Sequence, residues 1–413
     1  MPQSVPVEPG PQMTGTRPLP LADVTVLDLG QIYNGPYAAF LMAMSGARVI
    51  KIEPPGGENM RRRASVGGGA MLPFAMLYSN KEFVTVNLKS EEGKDLFLQM
   101  VRKTDIVVEN FAPGVMEKLG VGPTRLMREN PRLVYAAGSG YGWSGPYKNY
   151  LAMDLTVQAM SGTMACTGFP DRPPVKTGPA VCDFFGGVHL YGAVMSALFD
   201  AQRTGLGRFV EVAMLEAVFP TLSSTLGMYH GLGNKNPPRT GNRHGGMAES
   251  PYNVYPTSDG WLAMFCVNEV HYTGLATAMG RPELPTDPRF NSLKSRVAHM
   301  DELDAIISEW TGKHTKAELV DILTRYRVPC APVREIDEVV NDPHMHQRGT
   351  LKRVQHPDLG EIVLTTGPLR YAEAPPLEIV PSKALGADNA SVFQNWLGLS
   401  KDRLDALVAA GAI

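Results

Sequence analysis

Short apolar runs alternate with amphipathic stretches through the first half of the chain. Val24–Leu29 and Arg48–Glu53 are predicted strands, and the stretch YAAFLMAMSGA between them fits a helix. Further strand-like runs follow at residues 83–88, 104–110, 132–137 and 208–213. This alternation predicts an α/β domain with parallel strands and right-handed crossovers. Because such sheets bind ligands beyond the carboxyl ends of their strands, the turn Gly30–Gly35 is a predicted ligand site.

Two helices of this half carry clear sequence signals. In the helix that begins at Ser90, Ser90 is a predicted N-cap, with acidic residues in the first turn and basic residues in the last. A second helix follows Asp183, is rich in small residues and is closed by Gly205. No apolar run is expected to reach the roughly 18 residues of a membrane span.

The pattern changes near Pro220. The sequence from Ser223 to Arg243 is rich in Gly, Asn and Pro, which suggests a linker or long ordered loops. Two predicted antiparallel strands and two predicted helices follow, at residues 252–255, 261–267, 302–310 and 316–326. A short strand, EIVLTT, and a helix at residues 401–410 lie in the tail. The second half therefore contains a smaller α+β domain.

Chain length supports this division, because 413 residues exceed what one compact core usually holds. The predicted organisation is a Pro-rich flexible arm at 1–20, a large domain at 21–222 that is completed by 327–413, and a linker with a small domain at 223–326.

Charge and cysteine content exclude several classes of protein. The net charge of −2 is spread along the chain, so neither a nucleic-acid-binding stripe nor a basic membrane patch is expected. The four cysteines match no zinc spacing or CxxC pair, which fits a reducing cytoplasm and predicts no metal.

Three familiar kinds of motif are weak or missing. The run Gly140–Gly145 matches GxGxxG, but no apolar helix follows to receive a pyrophosphate. His344 and His346 lack a neighbouring ligand pattern and fit a solvated turn. There is neither a GxSxG elbow nor a Walker glycine loop, so use of a nucleoside triphosphate is not supported.

Carboxylates therefore become the candidate catalysts, and the stretch Met153–Asp183 contains three of them. Asp171 lies between Pro170 and the run Arg172–Pro174, on backbone whose freedom the prolines restrict. Such a turn is expected to hold an attacking carboxylate in a fixed position. The alternative is a surface turn in which Asp is simply a favoured residue.

Several motifs in order resemble the class III coenzyme A transferases, the family of formyl-CoA and carnitine CoA-transferases that also contains α-methylacyl-CoA racemases. The resemblance runs from about Leu21 to the C-terminus. It rests on LDLGQIYNGP, GARVIKIEPPGG, SNKEFVTVNLKS, VVENFAPGVMEKLG, MDLTVQAMSG, TGFPDRPPVKTG, RTGNRH, VPCAPV and NDPHMHQRGTL.

The resemblance implies a CoA-transferase that moves CoA from an acyl-CoA to a free carboxylic acid through aspartyl anhydride and aspartyl-CoA thioester intermediates. It places Asp171 as the nucleophile and Asp183 as a structural acid. The racemase branch uses a His-Asp pair where this chain has Met153-Asp154, so racemase or epimerase chemistry is the less favoured alternative. A non-catalytic CoA-binding subunit is the other alternative, against which the presence of Asp171 counts.

The resemblance also implies contacts for coenzyme A, the one cofactor-like ligand expected. They are Gln31, Ile32, Tyr33, Asn34, Arg62, Lys81, Asn110, Phe111, Lys118, Leu119, Ser139 and Tyr141. For the 3′-phosphate, Arg61, Arg62, Arg63 and Lys81 are alternatives, and an exposed basic turn is the other reading of those arginines.

Two expectations concern the substrate loop and the assembly. Gly245 and Gly246 are candidates for a loop that covers the intermediates, with a plain interdomain turn as the alternative. The resemblance further implies that the large domain is Rossmann-like and that the protein is a homodimer in which two ring-shaped chains interlock. The acyl donor and the acceptor acid cannot be read from the sequence.

Overall fold

The computed structural model describes residues 14–61, 63 and 71–413. Of the predicted arm, residues 1–13 lie outside this range. Residues that follow are tied to the C-terminal segment, since the Gly15 and Arg17 backbone N–H groups donate to the carbonyls of Ala374 and Glu373, both at 2.9 Å.

A six-stranded parallel sheet forms the centre of the first unit. Its strands are β1 (Thr25–Asp28), β2 (Arg48–Glu53), β3 (Lys81–Thr85), β4 (Ile106–Glu109), β5 (Val134–Ser139) and β6 (Phe209–Ala213). They lie in the order β3-β2-β1-β4-β5-β6, and each neighbouring pair is parallel. This order reverses direction between β1 and β4, and in such sheets the crevice at that point is where ligands bind. The predicted α/β class and parallel sheet are confirmed.

The strands between the edges are buried on both faces, as expected of a sheet covered by helices. In register, Leu27 lies beside Ile50 and Val107. One face packs under a cluster that includes Phe97 and Phe393, and the other under a cluster that includes Leu190. The core therefore holds the carboxyl ends of the strands in fixed positions.

Within the described residues, nine helices lie between residues 34 and 218. They are α1 (Asn34–Met44), α2 (Leu72–Leu77), α3 (Glu91–Val101), α4 (Val115–Lys118), α5 (Pro123–Glu129), α6 (Asp154–Met160), α7 (Thr163–Cys166), α8 (Val181–Thr204) and α9 (Met214–Val218). The Ser90 hydroxyl accepts a hydrogen bond from the Gly93 N–H at 3.1 Å, which confirms the predicted N-cap. The expected basic last turn is absent from α3, because Arg102 and Lys103 follow its last residue.

Of the helices in the described part of the chain, α8 alone is long and apolar enough to cross a membrane, judged by length and composition. The run inside α8 that lacks Asp, Glu, Lys and Arg, residues 184–199, is shorter than 18 residues, so the sequence prediction is not contradicted. The helix packs against α1, β5 and β6 and buries Leu190 and Val194, as a helix covering a sheet does.

The C-terminal segment returns to the first unit. It contains α16 (Pro343–Gln347), the antiparallel hairpin of β10 (Leu351–His356) and β11 (Gly360–Thr365), a π-helix (Ser391–Trp396) and α17 (Lys401–Ala409). The unit comprises the described residues up to Val157, together with Ala180–Ala217 and Asp342–Ile413.

The second unit comprises Gln158–Pro179 and Val218–Asn341. Its antiparallel sheet is formed by β7 (Tyr252–Thr257), β8 (Gly260–Phe265) and β9 (Cys330–Pro332). Its later helices are α10 (Ser223–Gly231), α11 (Glu269–Ala278), α12 (Leu293–Ala298), α13 (Met300–Thr311), α14 (Lys316–Arg325) and α15 (Ile336–Val340), with 3₁₀ turns at Phe219–Leu222 and Leu284–Thr286. Tyr255, Leu262, Phe290 and Leu319 belong to its core.

Two features of this unit differ from the sequence predictions. The predicted linker begins with a helix, α10, although Gly227 lies inside that helix. Residues 158–179 and 327–341, which the sequence assigns to the large domain, group with the second unit. The predicted strands of the β7–β8 hairpin and the predicted helices α13 and α14 are confirmed.

Candidate active site

A cavity of about 210 Å³ lies at the carboxyl ends of β1, β4 and β5. Six of the predicted CoA-contact residues line it, namely Gln31, Ile32, Asn34, Asn110, Phe111 and Ser139. Asp183 and Met153 also line it. We call this space the carboxylate cavity, because Asp183 gives it a buried acid.

Asn110 holds the turn between β1 and α1. Its Oδ1 accepts a hydrogen bond from the Gln31 backbone N–H at 2.6 Å, and its Nδ2 donates to the Gln31 carbonyl at 2.9 Å. The next residue, Ile32, has a φ of 63°, a left-handed conformation that is costly for a β-branched side chain. The two bonds from Asn110 therefore secure a strained turn against the cavity.

A buried charge network lies beneath the same turn. Lys81 Nζ donates to Asp28 Oδ2 at 2.7 Å, and both side chains are fully buried. Burial alone would raise the pKa of Asp28, but Lys81 and Lys51 hold that pKa below its ordinary value. Lys51 Nζ donates to the Gly30 carbonyl, and Gly30 N–H donates to Asp28 Oδ1 at 2.7 Å.

This placement corrects the prediction for Lys81. Burial lowers its pKa to about 8 against the attraction of Asp28, and its ammonium group also donates to the Pro36 carbonyl at 3.2 Å. An ammonium group enclosed in this way has no surface to offer a phosphate. Lys81 supports the turn and does not line the cavity.

Two glycines leave room for the Asn34 side chain, which is 1% exposed. A Cβ added to Gly138 in β5 would lie 2.1 Å from Asn34 Oδ1, and one added to Gly186 in α8 would lie 2.1 Å from Asn34 Nδ2. Nδ2 donates to the Asp183 carbonyl at 3.4 Å, whereas Oδ1 has no partner among the described residues. The Asn34 side chain thus joins the first turn to the start of α8.

Asp183 is the third residue of α8, and its side chain is buried, with the residue 8% exposed. Burial, and then repulsion from Asp154, raise the pKa of its carboxyl group to about 7. Asp154 Oδ1 accepts a hydrogen bond from the Cys182 backbone N–H at 2.9 Å, so the two acids meet at the first turn of α8. Burial and these two acids raise the pKa of the Cys182 thiol to about 12.

No hydrogen-bond donor of the described residues contacts the carboxylate oxygens of Asp183. Position in the first turn of a 24-residue helix favours the ionised form, because backbone N–H groups there carry partial positive charge. A basic carboxylate that faces a cavity, with no competing hydrogen bond, is suited to attack an electrophile. From the sequence, Asp183 is expected to be a structural acid only.

A second cavity, of about 580 Å³, adjoins the first and shares Gln31 and Phe111 with it. Leu119, a predicted contact, lines this space, as do Lys89 and Lys51. We call it the basic-rim cavity. Lys89 is exposed and was not predicted, although it stands in the NLKS motif directly after β3.

Glu109, at the end of β4, lies beneath Phe111. Its Oε2 accepts from the Phe111 N–H at 2.7 Å, and its Oε1 from the Tyr135 hydroxyl at 3.3 Å. Burial raises the pKa of Glu109 to about 8. Glu109 therefore orients Phe111, which separates the two cavities.

Other predicted CoA contacts do not line either cavity. Tyr33 stacks on Phe184 with ring centroids 5.9 Å apart, Tyr141 is buried, and Lys118 is exposed on α4. Arg62 lies outside the described residues. Arg61 forms an ion pair with Glu53, since its Nη2 lies 2.7 Å from Glu53 Oε1.

Asp171 belongs to the second unit, on a turn whose side chains are exposed. Its own side chain is 75% exposed and lies 3.7 Å from Arg172 Nε. Arg239 holds the turn by donating to the carbonyls of Phe169 and Arg172. Asp171 does not line any of the cavities described in either unit.

Gly245 and Gly246 lie in the segment between α10 and β7 of that unit. Gly246 N–H donates to His244 Nδ1 at 3.2 Å, and Ser224 and Thr225 of α10 lie nearby. The neighbouring residue Met247, rather than either glycine, lines a cavity of about 400 Å³. Across the described residues, no group of three His, Cys, Asp or Glu side chains is placed to hold a metal ion.

Comparison with known proteins assigns the chain to a family. The profile of CoA-transferase family III matches residues 21–389. Succinyl-CoA–D-citramalate CoA-transferase from Chloroflexus aurantiacus is 37% identical over 96% of this chain and 98% of its own length. Acetyl-CoA:oxalate CoA-transferase from Acetobacter aceti is 39% identical over 82% of this chain and 88% of its own length.

A solved structure gives the same result for the fold. The crystal structure of a CAIB/BAIF family protein from Brucella suis superimposes with a TM-score of 0.80 at 30% identity, covering 92% of this chain and all of that one. The family expected from the sequence motifs is thereby confirmed. The chain belongs to CoA-transferase family III.

Proposed function

We propose that this protein transfers CoA from an acyl-CoA thioester to a free carboxylic acid. The observation that carries the proposal is the pair of adjoining cavities, which meet at Gln31 and Phe111. Asp183 lies in one cavity and Lys89 at the other. An elongated thioester fits this arrangement, with its thioester carbon near the acid and its phosphates near the lysine.

In the proposed reaction, a carboxylate oxygen of Asp183 attacks the thioester carbonyl, the C–S bond breaks and CoA leaves as a thiolate. The thiolate then attacks the aspartyl carbonyl of the resulting anhydride, which releases the donor acid and leaves an aspartyl-CoA thioester. The acceptor carboxylate attacks that thioester, the C–S bond breaks and CoA leaves again as a thiolate, which gives a second anhydride. The thiolate finally attacks the acceptor carbonyl, which yields the new acyl-CoA and frees Asp183.

Asp183 replaces Asp171 as the proposed nucleophile for a physical reason. An anhydride must be kept from water, and Asp183 is buried in the carboxylate cavity whereas Asp171 is largely exposed. The raised pKa of Asp183 also makes its carboxylate a better nucleophile once it is ionised.

The acids and donors are proposed by analogy with the relatives. Their names pair succinyl-CoA with D-citramalate and acetyl-CoA with oxalate, so short acyl donors and small diacids are the first substrates to examine. Mass spectrometry of a panel of acyl-CoA donors and acids would identify the exchanged CoA esters.

Covalent trapping tests the proposed nucleophile directly. The enzyme is incubated with an acyl-CoA and no acceptor, quenched with hydroxylamine and digested, and the modified peptide is sequenced by mass spectrometry. We expect a hydroxamate at Asp183 and none at Asp171. A hydroxamate at Asp171 would restore the nucleophile predicted from the sequence. If neither acid carries a hydroxamate, covalent transfer through Asp171 or Asp183 is wrong.

We also propose the interlocked homodimer expected from the resemblance. Its support is the apolar surface of the first unit, where Phe199 and Leu206 are more than half exposed beside β6, the last strand of the sheet. Light scattering after dilution tests it. A dimer that persists until unfolding is expected, and a reversible monomer at micromolar concentration would contradict interlocking.

A further inference from the structure

A third cavity, of about 280 Å³, lies in the C-terminal part of the first unit. It shares no lining residue with the carboxylate cavity or the basic-rim cavity. Three cationic residues line it, Arg348 after α16, Lys352 in β10 and Arg370 after β11. Arg348 belongs to the motif NDPHMHQRGTL, for which CoA transfer supplies no role.

The Arg370 guanidinium is fixed by neutral oxygens. Its Nη1 donates to Thr366 Oγ1 at 3.3 Å and to the carbonyls of Gly367 and Leu369 at 3.2 Å, and its Nη2 donates to Thr350 Oγ1 at 2.7 Å. None of these bonds neutralises its charge. Burial and the nearby Arg348 lower the pKa of Arg370, which reflects a cation held without a counter-ion.

Carboxylates are scarce around this cluster. In the described residues, no Asp or Glu side chain pairs with Arg348 or Arg370, and the Glu378 carboxylate stands 3.8 Å from Lys352 Nζ with its own side chain mostly exposed. Arg61 shows the contrasting arrangement, since Glu53 neutralises it at 2.7 Å. The cavity therefore combines three positive charges with one negative charge, a largely solvated carboxylate within ion-pair distance of Lys352.

The remaining walls limit the size of a ligand. Leu369 and Pro376 supply apolar surface, and Tyr371 is held by its hydroxyl, 2.8 Å from Ser45 Oγ. A space of about 280 Å³ is too small for a whole CoA molecule but admits a compact anion with several oxygens. Guanidinium groups bind such oxyanions with paired, charge-assisted hydrogen bonds.

We propose that this cavity binds a small doubly charged oxyanion through Arg348, Lys352 and Arg370. The shared chemistry is two negative charges on oxygens within a few ångströms. Inorganic phosphate and a short dicarboxylate such as succinate both have it.

Calorimetry with the full-length protein in a chloride buffer tests the proposal. Phosphate and succinate are titrated separately, each in the presence of saturating CoA, so that the CoA cavities are filled. We expect one anion site per chain. Arg348→Gln and Lys352→Gln are each expected to weaken binding about tenfold, because each removes one charge-assisted contact. The anion that binds with the lower dissociation constant, phosphate or succinate, identifies which of the two the cavity prefers.

Arg353→Gln is the matched control. Arg353 neighbours Lys352 in β10, lies 3.3 Å from Glu361 and does not line the cavity, so binding should stay within about twofold of the unsubstituted protein. Arg348 is exposed, and its variant should retain the melting temperature of the unsubstituted protein. Equal weakening by Arg353→Gln, unchanged binding in both cavity variants, or no binding of either anion alongside CoA would each overturn the proposal.

Discussion

Asp171 and Asp183 lie twelve residues apart, yet their surroundings differ in every property that matters for covalent chemistry. Asp171 is exposed on a proline-rigid turn and faces Arg172. Asp183 is buried at the start of α8, beside a second acid, on the wall of a cavity. The comparison teaches that a rigid backbone does not by itself make a carboxylate reactive. Exclusion of water and a raised pKa depend on what packs around the side chain.

The largest expected effect separates these two acids. Asp183→Asn should lower kcat by about a thousandfold or more, because the amide cannot form the anhydride. Asp171→Asn should change kcat by less than about threefold, as an exposed substitution usually does. Steady-state kinetics of both variants, with melting temperatures as a folding control, measure the difference. An equal loss of kcat in the two variants would contradict the different roles of the two acids.

Packing around Asp183 gives the next effect. In Gly186→Ala the new methyl group would meet Asn34 Nδ2 at 2.1 Å, so we expect a loss of about 1–3 kcal/mol in unfolding free energy and a lower kcat. Gly192→Ala in the same helix is the control. Nothing lies within 4 Å of its new methyl group, and a gain of about 0.5–1 kcal/mol is expected. Urea unfolding that ranks the two variants the other way would contradict the close packing of Asn34 against Gly186.

A third acid, Glu109, extends the comparison to pH-dependent stability. Its pKa is about 8 in the folded chain against 4.5 ordinarily, so folding favours its protonated form. That stabilisation is complete below about pH 4.5 and is lost as the pH rises to about 8. Glu109→Gln should therefore gain stability relative to the unsubstituted protein between pH 5 and 8. Urea unfolding of both proteins at pH 5 and pH 8 measures the difference between their unfolding free energies. A difference that is the same at both pH values would argue against a buried, neutral Glu109.

The smallest effect concerns the acid beside Asp183. With a pKa of about 7, Asp183 should lose activity as the pH falls through 7 and its carboxylate is protonated. Asp154→Asn keeps an oxygen for the Cys182 N–H but removes the repulsion, so the acidic limb of kcat/KM should move to lower pH by up to about one unit. A limb that stays in place would show that burial alone sets this pKa.

Much of the fold follows from sequence pattern. The parallel strands β1 to β6, the Ser90 cap and the β7–β8 hairpin are predicted because periodicity and capping are local properties. The membership of residues 158–179 in the second unit is not predicted, since it depends on contacts far apart in sequence. The helical start of the supposed linker is missed because glycine is a weak helix breaker when packing or length favours a helix.

The residues of the candidate site likewise include some that the sequence predicts and some that it does not. Gln31, Asn110 and Phe111 are predicted from the family resemblance, and the motifs that contain them follow strands whose carboxyl ends meet at one edge of the sheet. Lys81 is predicted wrongly, because its sequence carries no sign that Asp28 would bury it. Asp183 is expected from the sequence to be structural only, for the corresponding reason, because its sequence carries no sign of the burial that raises its pKa.

The wall shared by the carboxylate cavity and the basic-rim cavity has a consequence for the proposed binding of CoA. Since only Gln31 and Phe111 are common to both, the proposal predicts that a pantetheine-like fragment and a nucleotide-like fragment occupy their own cavities at the same time. Joining them makes the second binding event intramolecular, with a gain governed by effective concentration rather than by any new contact. The proposed binding mode thus makes CoA a bivalent ligand, and separate weak inhibitors of each half are starting points for linked ones.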